Sequence, residues 1–144
     1  MSDQAAVQEA TLDEFIEAWK RWKPDTFFDT WTDNCTVTSL PFSLGVPTRS
    51  REEMDKLIPA LMGVMSNWEL TVHTIVHDTA HGQAAIYALS KADTPIGPYK
   101  NEHALFLWFD KSGKKVDKIE EMIDQAVLKD FFPRLQVYME QQKS

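Results

Sequence analysis

Apolar residues recur every third or fourth position over the first part of the chain and every second position from Trp68 onward, so helices are expected first and strands later. Residues 1–10 are polar enough to read as a flexible lead-in. "TLDE" at 11–14 then has the form of a capping box, Thr11 with Glu14, and Leu12, Phe15, Ile16, Trp19 and Trp22 make one apolar stripe behind it. Pro24 suits the first turn of a second, short helix, "PDTFFDTW". "CTVTSLPF" is a short β segment, and a Gly/Pro loop leads to "SREE", a second capping box at Ser50 and Glu53. The helix it opens turns Met54, Leu57, Ile58, Leu61 and Met65 inward and is expected to kink or restart at Pro59.

Four strands follow: "WELTVHTIVHD", "GQAAIYALSKA", "YKNEHALFLWFD" and "VDKIEEMID". "DTAHG" and "DKSG" between them are turn sequences, with Gly82 and Gly113 available for positive φ, and "ADTPIGP" is a longer connection stiffened by proline. A closing helix spans about Gln125 to Gln141, bent at Pro133, with Asp124 before it as an N-cap. The order predicts one α+β domain over 1–144, its helices on one face of a curved antiparallel sheet that leaves a pocket at its mouth.

The strand at 99–110 carries the chemistry. Alternation puts Tyr99, Asn101, His103, Leu105 and Leu107 on one face, and Glu102, Ala104, Phe106 and Trp108 on the other. One face is therefore apolar at one end and hydrogen-bonding at the other, as a cavity wall would be. If the next strand pairs antiparallel across "DKSG", Glu121, sharing a face with Ile119 and Ile123, joins Tyr99 and His103; a shift of one residue in register would present Glu120 instead. Glu121 and His103 would move protons while Tyr99 polarises an oxygen and Asn101 adds a hydrogen bond. His73 is a candidate second pocket histidine, and Trp19, Phe28, Leu57 and Leu105 are the expected apolar wall for a ring system.

Composition narrows the function classes. A net charge of -7 over 144 residues argues against nucleic-acid binding, which draws on basic side chains. Cys35 stands alone, so no disulfide forms within the chain, and it reads as a small buried thiol. The first residues lack the basic and apolar regions of a secretory signal, and "ALFLWF" is far too short to span a bilayer, so a cytoplasmic location is the expectation. His73, His77 and His81 are four apart on a strand, too far apart to share a metal ion, and no phosphate loop or nucleotide fingerprint is present, so neither metal nor cofactor is assigned.

With this element order, "YKNEHALFLWFD" and "VDKIEEMIDQAVLKDFFPRL" resemble the nuclear transport factor 2-like superfamily. The likeness is to its SnoaL-like members, and among them to fungal isomerases, cyclases and semipinacolases of secondary metabolism. The resemblance covers about residues 11–140 and implies a cone-shaped fold and a homodimer. It also implies a cofactor-independent isomerase or cyclase acting by acid-base catalysis on a hydrophobic polycyclic or polyketide-type substrate. The semipinacolase-like pattern of two tyrosines four apart and a glutamate on the next strand falls on Tyr99, His103 and Glu121, with a histidine in place of the second tyrosine and no match for that pattern's arginine. Dehydratase-like members pair an aspartate on the first helix with a strand histidine; His73 matches the histidine, and the aspartate position falls at Trp19 or Lys20. The alternatives to an isomerase are a dehydratase, a non-catalytic binder of an apolar small molecule, and a dimeric interaction module using the sheet.

Overall fold

A computed structural model describes residues 3–143. Helix α1 runs from Asp3 to Arg21, so residues 3–10 are not a flexible lead-in and Thr11 is not an N-cap. A tertiary contact overrides the capping pattern. Thr11 is buried, its hydroxyl shared between the carbonyls of Val7 at 3.1 Å and Gly113 at 2.7 Å, and buried Gln8 bonds His77 at 2.8 Å. Gly113 makes this approach possible: at φ +74 it closes a strand turn, and a Cβ there would meet Gln8 Cγ at 3.2 Å and Val7 Cγ1 at 3.3 Å. Met1 and Ser2, the start of the supposed lead-in, lie outside the described residues.

Trp22, at φ 54, ends α1. The expected helix after Pro24 is instead a series of turns, closed by Phe27 N–H to the Lys23 carbonyl, Asp29 N–H to Thr26 and Trp31 N–H to Phe28. Its rings pack into the core instead, Phe28 against Trp31 at 4.9 Å. Strand β1 is Trp31–Ser39. Helix α2, Arg51–Met62, starts at the expected capping box: Ser50 Oγ accepts from Glu53 N–H, and Glu53 Oε1 accepts from Ser50 N–H. It continues through Pro59 without a restart, and Gly63 N–H bonds the Pro59 carbonyl at its end.

Strands β2 (Ser66–Asp78), β3 (Gln83–Thr94), β4 (Gly97–Phe109) and β5 (Val116–Ile123) form an antiparallel meander, and β1 adds beside β5 in parallel, giving the sheet order β1-β5-β4-β3-β2. "ADTPIGP" proves shorter than expected. Its first residues extend β3, and only Pro95 and Ile96 turn the chain before β4, with Thr94 Oγ1 donating to the Gly97 carbonyl at 2.6 Å. After β5, Asp124 accepts from Ala126 N–H at 2.8 Å, and a π-helical turn, Val127–Phe131, leads into α3, Phe132–Gln141. Pro133 at the start of α3 has no N–H to donate, and the wider turn before it is closed by Phe132 N–H to Val127.

One core joins α1 to the inner faces of β1, β3, β4 and β5, around Leu107, Val116 and Ile119. A second, at the other end of β4, gathers Tyr99, Phe131 and Leu135. Among the described residues no helix is long and apolar enough to cross a membrane.

Candidate active site

Between the concave side of the sheet and the three helices lies a cavity of about 410 Å³, within the range of small-molecule sites. Trp19, Leu57 and Leu105 line it, as do Tyr99, Asn101, His103 and Glu121. Phe28 does not: the turns after α1 present Phe27 to the cavity and leave Phe28 under the Arg51 guanidinium, 4.8 Å from its ring. His73 does not either. The β2–β3 register shifts between Val72 and Thr74, so His73 falls on a bulge and is exposed against the outward ring of Tyr87, 6.0 Å away. The dehydratase-like pairing through His73 is thereby lost. Nor do the three spaced histidines converge, since His77 bonds Gln8 and His81 bonds Asp78.

Register brings the polar groups together. Leu105 pairs with Glu121 and His103 with Ile123, so Glu121 faces the cavity beside His103, and Glu120 lies on the opposite face near Lys118. Glu121 Oε2 is 2.9 Å from His103 Nδ1; the imidazole is buried, while 26% of the glutamate side chain remains accessible. His103 Nε2 is 2.7 Å from Ser90 Oγ, which lies 3.1 Å from the Tyr99 hydroxyl. Asn101 completes the chain. Its amide oxygen accepts from the backbone N–H of Glu102 and Asp124, which fixes the amide so that Nδ2 donates to the Tyr99 oxygen at 3.0 Å.

These bonds form one continuous series from Glu121 through His103 and Ser90 to Tyr99. With Ser90 donating to Tyr99, the Ser90 oxygen is left to accept from His103 Nε2, and Nδ1 faces the Glu121 carboxylate. Tyr99 then accepts twice and keeps its own O–H for a ligand. Rotation of the two hydroxyls reverses the direction of the Ser90 bonds to Tyr99 and His103. Burial pushes the Tyr99 phenol up to about 12, helped by the Glu121 charge and opposed by the bonds from Ser90 and Asn101, so it works as a donor and stays protonated at neutral pH. Cys35 is buried away from this series, its thiol pushed up to about 12 by burial and then by Asp117, which suits an inert core residue.

No family model matches the sequence. Monooxygenase nsrQ of Aspergillus novofumigatus is 52% identical over 143 residues, spanning 99% of this chain and 95% of its own. The chain belongs to the nsrQ family. Among solved structures, the BvnE pinacolase from Penicillium brevicompactum superposes with a TM-score of 0.85 at 18% identity, over 95% of this chain and 96% of that one. A SnoaL-like protein from Shewanella denitrificans gives 0.69 at 7% identity, over 86% and 95%. The fold is therefore the SnoaL-like, nuclear transport factor 2-like cone.

Ser90 and Arg49 are among the residues of this nsrQ-family site that the sequence pattern does not single out. Ser90 interrupts the small apolar inward positions of β3, Ala84, Ile86, Ala88 and Ala92, and a lone hydroxyl among them was the available signal. Arg49 lines the cavity through a single bridge to Val37, a pairing that no local pattern announces.

Proposed function

We propose that this protein is a cofactor-independent acid-base isomerase or cyclase acting on a hydrophobic polycyclic or polyketide-type intermediate of secondary metabolism. The observation that carries the reading is the hydrogen-bonded series Glu121–His103–Ser90–Tyr99 on one wall of a largely apolar cavity. The likeness to a pinacolase fold is in keeping with it.

Glu121 takes a proton from a carbon next to a carbonyl, through the oxygen that His103 leaves free. Tyr99 donates its O–H to the carbonyl oxygen as negative charge develops there, a contribution of about 10²- to 10³-fold for one aimed donor. His103 holds the Glu121 carboxylate in place, and Ser90 joins the imidazole to the Tyr99 hydroxyl. Return of the proton to a different atom completes an isomerisation; in a cyclisation the enolate carbon bonds to a second carbonyl carbon of the same molecule, and the alkoxide formed there takes the proton back from Glu121. The aromatic wall, Trp19 and Trp68 among it, holds the rings and keeps water out.

The test is incubation with a panel of polycyclic aryl ketones in D2O. Deuterium is expected to enter next to the carbonyl of one or more of them faster than in buffer, and exchange at the buffer rate across the panel overturns the reading. The name of nsrQ favours a second reading, in which the same carbanion passes to dioxygen. An activated CH2 then becomes C=O, and its two hydrogens leave with the other oxygen atom as water. Oxygen uptake that matches product formation would select it, and an isomer formed equally under argon would reject it.

A homodimer through the convex face of the sheet is part of the proposal. Tyr87, Leu89, Phe106 and Met122 are large, exposed and close together there on adjacent strands. Phe106→Glu is expected to convert a dimer to a monomer in sedimentation velocity. A wild-type protein that is monomeric at about 100 µM would reject this arrangement, since a Kd weaker than that corresponds to less than about 5.5 kcal/mol of association.

A further inference from the structure

Four arginines occur in the chain, and three are tied to carboxylates: Arg21 to Glu14, Arg51 to Asp55 and Arg134 to Asp130. Arg49 is the exception. Among the described residues no carboxylate lies within ion-pair distance of it and its side chain makes no hydrogen bond; its backbone alone is engaged, in a two-way bridge with Val37 at 2.9 and 3.0 Å. It is also the arginine that lines the cavity. Directly bridged residues of antiparallel strands share a face, so Arg49 points the way Val37 does, to the concave side. Val37 pairs in turn with Ile119, and Ser39 with Glu121, which sets Arg49 two strand spacings, roughly 10 Å, from the backbone that carries Glu121. Glu121 thus lies between Arg49 on one side and Tyr99 on the next strand. The carboxylate of Glu121 already has a hydrogen-bond partner in His103, and among the described residues the guanidinium has none.

A partly buried guanidinium facing apolar walls is costly without an anion, and its planar fork suits an oxyanion. We propose that Arg49 is the anion subsite of this cavity, and that the ligand carries an anionic oxygen, a carboxylate or an ionised phenol, on the side of the molecule away from the oxygen bound by Tyr99. This rests on the cavity being the substrate site. It makes Arg49 a specificity residue with no part in the proton transfer.

The test is a binding comparison of two ligands of one shape, 2-naphthoate and 2-naphthamide, read by quenching of the tryptophans that line the cavity. The wild-type protein is expected to prefer the carboxylate by roughly 10- to 100-fold, the range for a hydrogen bond to a charged group. Arg49→Gln should abolish that preference while leaving the amide within about threefold of wild type, and Arg49→Lys should retain part of it. Equal affinity of the wild type for the two ligands, or a preference that survives Arg49→Gln, overturns the assignment. The readout is independent of turnover. A carboxylate preference that persists in Glu121→Gln and vanishes in Arg49→Gln supports the subsite even if the deuterium experiment goes against acid-base catalysis.

Discussion

Glu121→Gln is expected to lower deuterium exchange or product formation by about 10²- to 10⁴-fold, the usual contribution of one well-placed proton-transfer group. Ligand affinity should stay within about threefold. The two side chains have the same shape, and the amide can still bond His103, so the site keeps its geometry and loses the group that takes the proton. Kd and turnover measured on the same preparation separate the two effects. Unchanged turnover would remove Glu121 from the proposed chemistry, and a parallel loss of binding would make it a ligand contact. Tyr99 sharpens the result. Its pKa is raised, so it keeps its proton until pH passes through about 12, and any fall in activity at lower alkaline pH has to come from another group.

Leu107→Ala is expected to destabilise the fold by about 2–5 kcal/mol, seen as a lower midpoint in urea with an unchanged slope. Leu107 is 0% exposed at the middle of the sheet, paired with Ala84 on one side and Ile119 on the other, so truncation leaves a void that neither neighbour can fill. Leu57→Ala is the instructive comparison. Leu57 borders the cavity, and shortening it widens a space that already exists, so its cost should be about 1 kcal/mol or less. A Leu57→Ala cost as large as that of Leu107→Ala would mean that the cavity wall supports the fold as the core does.

Several features were legible because they depend on neighbours along the chain. Ser50 and Glu53 cap a helix through bonds spanning three residues, Gly82 and Gly113 take positive φ in tight turns, and alternation assigns faces along β4 and β5. Alternation together with one short turn was enough to put Tyr99, Asn101, His103 and Glu121 on a single wall. Where one residue of slippage intervened, the same logic failed: the bulge at His73 carries that side chain to the outer face, and the turns after Trp22 exchange Phe28 for Phe27 at the cavity.

Other departures from the local pattern have a common cause in contacts between distant segments. Thr11 resembled a helix start until Gly113, 102 residues away, supplied an acceptor for its hydroxyl. Ser90 became part of the site when β3 paired with β4 and placed it opposite Asn101, between Tyr99 and His103. The helices-then-meander order, the faces of the two central strands and the residue types on the polar wall follow from periodicity alone, since 3.6- and 2-residue periods are properties of the local backbone. Where α1 begins, how Ser90 joins His103 to Tyr99, and the entry of Arg49 into the cavity with no carboxylate partner among the described residues depend on contacts between distant segments. Each of these is set by which strands and helices meet, and a periodic pattern carries no record of its partner.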